Sequence, residues 1–111
     1  MLAKPNRLTD GAEYKAVVRR GARASGVHTI TYVVSREDSA SPRFGFIVSR
    51  QVGSAVVRNR VRRRLKAVCL SALPRVRAGS EVVIRALPSA ADATFDALEN
   101  EVFSSLARRA A

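Results

Sequence analysis

Cysteine, histidine and acidic residues are all scarce in this chain. Its one cysteine, Cys69, cannot form an internal disulfide, and a Cys-based zinc site needs several, so neither device staples the fold. A reducing compartment fits that usage. Its one histidine, His28, has no partner spaced to suggest catalysis and reads as surface or strand packing. No apolar run approaches the ~18 residues needed to cross a bilayer. Met1 to Leu8 is polar and basic and lacks the apolar segment of a signal peptide, so the cytoplasm is the expected location. No phosphate-binding glycine loop, paired-carboxylate motif or Cys/His cluster is present. No catalytic side chain and no metal ligand set are therefore expected.

Acids number 9 against 20 lysines and arginines, a net charge of +11 over 111 residues. Solubility of a small domain needs a net charge of only about 2 to 8. The excess of one sign points to a polyanionic partner, most simply nucleic acid, with a membrane surface as the lesser competitor. An apolar fraction of 47% is ordinary for a folded domain. The length suits one domain, residues 1–111, with a modest core.

Residues 1–9 read as a basic, extended arm. Asp10 followed by Glu13 predicts a capping box and a short helix, with Tyr14, Val17 and Val18 on its apolar side and Gly21 at its end. Val27–Val34 is β-branched and predicts a strand, with Ile30, Tyr32 and Val34 on one face and Thr29, Thr31 and Val33 on the other. Arg43–Val48 and Glu81–Ala86 predict two more, and Arg23–Ser25 a short one. Residues 54–73 predict a long helix. Its Val57, Val61, Leu65, Val68 and Ala72 fall within an arc of about 80° at helical periodicity, and Cys69 sits at the edge of that stripe as a small apolar filler. A last helix is predicted from about Asp92 to Arg109 on Phe95, Leu98, Val102 and Leu106. It holds four of the acids, Asp92, Asp96, Glu99 and Glu101, which suggests a less basic side. The pattern is an α+β sandwich in the order α-β-β-β-α-β-α.

Between Arg50 and Lys66 lie seven basic residues and no acid: Arg50, Arg58, Arg60, Arg62, Arg63, Arg64 and Lys66. On the helix, Arg58, Arg62 and Lys66 form one ridge and Arg60, Arg63 and Arg64 the opposite flank, with Asn59 between. Like charges one turn apart repel by a few tenths of a kcal/mol per pair. A phosphate-rich partner relieves that repulsion and releases counterions. Arginine's planar fork suits phosphates and base edges, and no large aromatic or leucine face is left to enter a bilayer. Asn59 reads equally as a plain surface residue, an orienter of its neighbours, or a direct sugar or base contact. A DNA-reading helix would belong to a helix–turn–helix pair; this one follows a strand and is charged along its length, which suits RNA.

The run from Val52 to Lys66, centred on Arg58-Asn59-Arg60 with Gly53 and Ala55 before it and Arg62 and Arg63 after it, resembles the signature of the bacterial ribonuclease P protein family. Asn6-Arg7-Leu8, Gly21, the strand through Tyr32, Gly45, Val48-Ser49-Arg50 and the final helix also match. The resemblance implies a four-stranded sheet with a left-handed β-α-β crossover, the ribosomal protein S5 domain 2-like fold. It implies a subunit of ribonuclease P that helps remove the 5′ leader of precursor tRNA, with hydrolysis done by the RNA and its bound magnesium (Mg2+). The protein would strengthen substrate affinity and lower the magnesium requirement. By the same resemblance Arg58, Asn59, Arg60, Arg62, Arg63 and Lys66, with Arg50 and Arg7 more weakly, contact RNA. Tyr14, Val18, Ile30 and Tyr32 line the leader cleft, the tyrosines stacking on bases. Val18 stands where a second cleft aromatic is common, Gln51 where a base is frequent, and Val27 at an often basic position. The expected partners are the ribonuclease P RNA and precursor tRNA, bound by a monomer, with no role for DNA or membrane. The alternative is a non-catalytic structured-RNA-binding module such as a ribosomal protein.

Overall fold

Asp10 starts the first helix as its residue type predicts: the carboxylate accepts a hydrogen bond from the Ala12 amide at 2.9 Å, and α1 runs Gly11–Arg20. The computed structural model describes residues 2–36 and 38–111, so Met1 of the expected arm lies outside it. Glu13 does not close a capping box. Its carboxylate pairs with Arg43, which also pairs with Glu81. The hydrogen bond to Glu13, then the hydrogen bond to Glu81 and the negative charge of both carboxylates, raise the pKa of Arg43 above the ordinary arginine value against the opposing effect of partial burial. With both carboxylates ionised, the stabilisation is full below the ordinary arginine value and is lost as pH rises through the raised one.

Gly21 ends α1 with φ −70°, an ordinary extended conformation, so it is not the left-handed cap its position suggests. It is a glycine because α1 closes directly onto the sheet: a Cβ there would lie 2.5 Å from the Val17 carbonyl and 3.0 Å from the Val33 amide.

Four strands follow: β1 (Ala22–Ser25), β2 (Thr29–Ser35), β3 (Arg43–Ile47) and β4 (Ser80–Ala86). Their order in the sheet is β1-β2-β4-β3. β2 pairs antiparallel with β1 and β4, while β3 pairs parallel with β4. A parallel neighbour requires a crossover, and α2 (Ala55–Ala72) supplies it. Ser54 caps α2, its hydroxyl accepting from the Val57 amide at 3.3 Å. Pro74 then turns the chain in a short 3-10 segment, Leu73–Arg75.

β2 begins two residues later than its β-branched composition suggests. The amides of Val27 and His28 are bound by the Glu101 carboxylate at 2.7 and 3.0 Å, which also accepts from the Thr29 hydroxyl. These bonds hold residues 26–28 in the turn. Glu101 comes from α3 (Phe95–Arg109), so this acid is a structural clamp as well as a balance to the basic side. α3 starts at Phe95 rather than Asp92 because Thr94 is its cap, accepting from the Ala97 amide at 3.1 Å.

The sheet is covered on both faces. Val33, Phe44, Val82 and Ile84 pack against α2 and α3, which contribute Val61, Leu65, Val68, Leu98, Val102 and Leu106. Cys69 is fully enclosed here rather than at the edge, and desolvation pushes its thiol pKa well up, so it stays neutral. On the other face Tyr32 and Val83 pack against Val17 of α1 and Leu8 of the N-terminal segment. Alternation along β2 explains the split, since neighbouring residues point to opposite sides.

The N-terminal segment is not a free extended arm. It makes a 3-10 turn at Lys4–Asn6 and buries Leu2 and Leu8. The Leu8 amide donates to the Phe44 carbonyl at 2.8 Å, and the Asn6 side-chain amide donates to the Pro42 carbonyl at 2.8 Å. The arm thereby covers part of the outer edge of β3, which would otherwise offer unpaired backbone groups.

Candidate nucleic-acid interface

α2 buries Val61, Leu65, Val68, Cys69 and Ala72 and turns its remaining sides outward. Asn59 and Arg63 are exposed; Arg58, Arg60, Arg62, Arg64 and Lys66 are half-buried. The arginines are not equivalent. Arg60 donates to the Ala91 carbonyl at 3.0 Å and Arg64 to the Ala93 carbonyl at 2.9 Å, so this flank ties α2 to the segment leading into α3. Arg62 donates to Asn59 Oδ1 at 3.0 Å and to the Val48 carbonyl at 3.4 Å. Among the described residues, Arg58 and Arg60 each keep a buried Nε without a hydrogen-bond partner. Arg63 and Lys66 make no side-chain hydrogen bond or ion pair among the described residues, which leaves their charge for a partner.

On the opposite face of the sheet from this helix, a groove runs between α1 and the sheet. One section, about 320 Å³, is lined by Tyr14, Lys15, Val18, Arg19, Ile47 and Arg85. A second, about 560 Å³, continues from Ile47 and Arg85 to Ser49, Arg50 and Gln51 at the exit of β3. Among the described residues the walls carry Lys15, Arg19, Arg85 and Arg50 and no carboxylate. Apolar floor and cationic rim suit a single strand of nucleic acid, whose bases stack while its phosphates seek charge.

The groove brings together Tyr14, Val18 and Arg50 of the residues singled out from sequence. Tyr32 is only 7% exposed and packs in the core beneath α1; Ile30 is half-buried against the same cluster, and neither lines the groove. Arg7 is exposed, bridged to Phe44 at the sheet edge. Lys15, Arg19, Ile47 and Arg85 were not foreseen. One signal existed for Arg85: it shares a strand face with Val83 by two-residue alternation, so a charge there interrupts a buried face.

Tyr14 is held firmly. Its hydroxyl accepts from the Phe46 amide at 3.2 Å and donates to the Leu8 carbonyl at 3.3 Å. Its ring lies over Gly45, where a Cβ would sit 2.5 Å from the ring carbon Cζ. Gly45→Ala is expected to displace the ring and lower Tm by roughly 5–10 °C, the cost of overpacking a tight site. Gly11→Ala, with open space around it, should leave Tm unchanged or raise it slightly. Equal melting curves for the two variants would show that Tyr14 is not seated as described.

Among the described residues no group of three or more His, Cys, Asp or Glu is placed to hold a metal ion, and no helix is long and apolar enough to cross a membrane.

A family model described as Ribonuclease P matches residues 2–110. The ribonuclease P protein component of Clavibacter michiganensis subsp. michiganensis is 45% identical over 108 residues, covering 97% of this chain and 96% of its own. That of Acidothermus cellulolyticus is 44% identical over 102 residues, covering 91% and 85%. Among solved structures, the RNase P protein of Staphylococcus aureus matches with a TM-score of 0.83 at 21% identity, over 93% of this chain and 94% of that one. The RNase P protein of Thermotoga maritima matches with a TM-score of 0.83 at 16% identity, over 95% and 98%.

Proposed function

The chain belongs to the ribonuclease P protein family and is a subunit of that ribonucleoprotein endoribonuclease, and from that premise we propose how its surfaces divide the work. The outer face of α2, with Arg58, Asn59, Arg60, Arg62, Arg63 and Lys66, docks on the catalytic RNA. The groove receives the single-stranded 5′ leader of precursor tRNA. Tyr14 stacks on a leader base, and Lys15, Arg19, Arg85 and Arg50 meet its phosphates. Tyr32 supports that wall from below. Magnesium ions belong to the RNA, which performs the hydrolysis. The protein acts as a monomer in the cytoplasm, raising substrate affinity and lowering the magnesium requirement by supplying fixed positive charge.

One observation carries this reading: an acid-free arginine helix on one face of the sheet and a cation-walled groove on the other are linked by the strand exit at Arg50. A general RNA-binding module such as a ribosomal protein would use the helix but has no need of the groove. The test is cleavage of precursor tRNA by a bacterial ribonuclease P RNA at low magnesium, with and without the protein. Strong stimulation, yielding the mature 5′ end, is expected. Folded protein that gives none with a matched RNA would overturn the proposal.

A further inference from the structure

Asn59 is the one neutral polar side chain between the two basic ridges of α2, and its oxygen is occupied. It accepts from Arg62 Nη1 at 3.0 Å, while Nη2 of the same guanidinium reaches the Val48 carbonyl at 3.4 Å. Residues three apart on a helix are neighbours, so the first contact is set by α2 alone. The second leaves the helix. Val48 is buried just past the end of β3, and the chain turns immediately after it, with the Val52 amide bonded to the Ser49 carbonyl at 3.1 Å and the Gly53 amide to the Arg50 carbonyl at 3.2 Å. Ser49, Arg50 and Gln51, which line the second section of the groove, hang from this point.

We propose that Asn59 and Arg62 form a positioning pair: Asn59 holds the Arg62 guanidinium against the Val48 carbonyl, which fixes the strand exit that presents Arg50 and Gln51 to the leader. The pair couples the RNA-docking face to the groove. This inference rests on the function proposed above.

The chemistry explains an amide at this position. A carboxylate would also accept from Arg62, but it would cancel the arginine's charge and repel phosphate. Alanine would leave the guanidinium free to swing away from Val48. The neutral amide orients the cation without neutralising it. A guanidinium has five N–H donors, so two bonds inside the protein leave three for an RNA phosphate. A phosphate bound there restrains the guanidinium further, and through it the strand exit. By linkage, the gain that RNA docking gives to leader binding equals the gain that leader binding gives to RNA docking.

The test uses the protein assembled with a ribonuclease P RNA and two precursor tRNAs, one with a long leader and one whose leader is cut to a single nucleotide. Two quantities are read: the affinity of protein for RNA, and the gain in precursor affinity that the long leader confers. Asn59→Ala is expected to cut the leader gain about fivefold, the effect of losing one hydrogen bond. Arg62→Ala should cut it at least as much. In the Arg62→Ala background, Asn59→Ala should add nothing to that loss. Asn59→Asp restores the acceptor, so it should keep the leader gain while weakening RNA affinity. Equal losses from Asn59→Ala with and without Arg62, or loss of the gain in Asn59→Asp, would show that Asn59 acts independently of Arg62 and would overturn the pair. A wild-type protein that binds RNA but shows no leader gain would sink the groove assignment itself, and the pair with it. Thermal melts of each variant separate these outcomes from unfolding.

Discussion

Replacing Arg58, Arg63 and Lys66 together by alanine is expected to weaken binding to ribonuclease P RNA by about a hundredfold at moderate salt. The choice follows from the hydrogen bonds. Arg60, Arg62 and Arg64 each hold a backbone carbonyl inside the protein, so removing them mixes weaker RNA docking with a loosened fold. A triple variant of Arg58, Arg60 and Arg62, the natural choice from sequence, would suffer this twice. Arg63 and Lys66 carry charge with no internal partner among the described residues, and Arg58 has an Nε with none. Every phosphate that these side chains no longer neutralise should also flatten the dependence of log affinity on log salt by about 0.7 to 0.9. A total change of about two to three in slope is the distinguishing result. Titrations between low and moderate salt read it directly. A variant with weaker binding but an unchanged slope would place the RNA on another face.

The largest effect on stability is expected from Leu65→Ala. Leu65 has no exposed surface and lies between Arg64 and Lys66, so the residue that anchors α2 is flanked by two that point away from the core. Truncating a buried leucine costs about 2–5 kcal/mol, because transfer and cavity effects add. For a domain whose whole stability is of order 5–15 kcal/mol, Tm should fall by roughly 10–20 °C. Val56, on the same helix and 76% exposed, is the comparison: Val56→Ala should shift Tm little. Thermal melts followed by circular dichroism decide the matter. A Leu65→Ala protein melting with the wild type would contradict the packing of α2 on the sheet.

What was legible in the sequence was mainly local. The stripe from Val61 to Ala72 and the alternation of Ile30, Tyr32 and Val34 are repeats a few residues long, and both survive in the fold. Asp10 was legible as a cap because its partner lies two residues away. Glu13 was not, because Arg43, thirty residues on, competes for it. Leu2 and Leu8 gain burial only once β3 exists to receive them. The groove was half legible. Tyr14 and Val18 stand on α1, but Ile47 and Arg85 meet them only through the order of the strands. Tyr32 shows the converse: an aromatic on the expected strand face lies too deep to line the groove. No local pattern distinguishes the arginines that hold carbonyls from those that face outward.

The sheet order has a consequence for how the chain comes into being. β4, the last strand in sequence, lies between β2 and β3 and pairs with both. While a ribosome has yet to release residues 80–86, β1 and β2 can pair as a hairpin, but β3 has no neighbouring strand and the apolar stripe of α2 has no completed sheet to cover. Assembly of the sheet therefore waits on the meeting of distant parts of the chain, a topology that folds slowly compared with local hairpins and helices. Through that interval the nascent chain exposes strand edges and apolar surface together with a helix dense in positive charge. Birth of the protein and the risk of its aggregation are thus set by the same seven residues that finally close its centre.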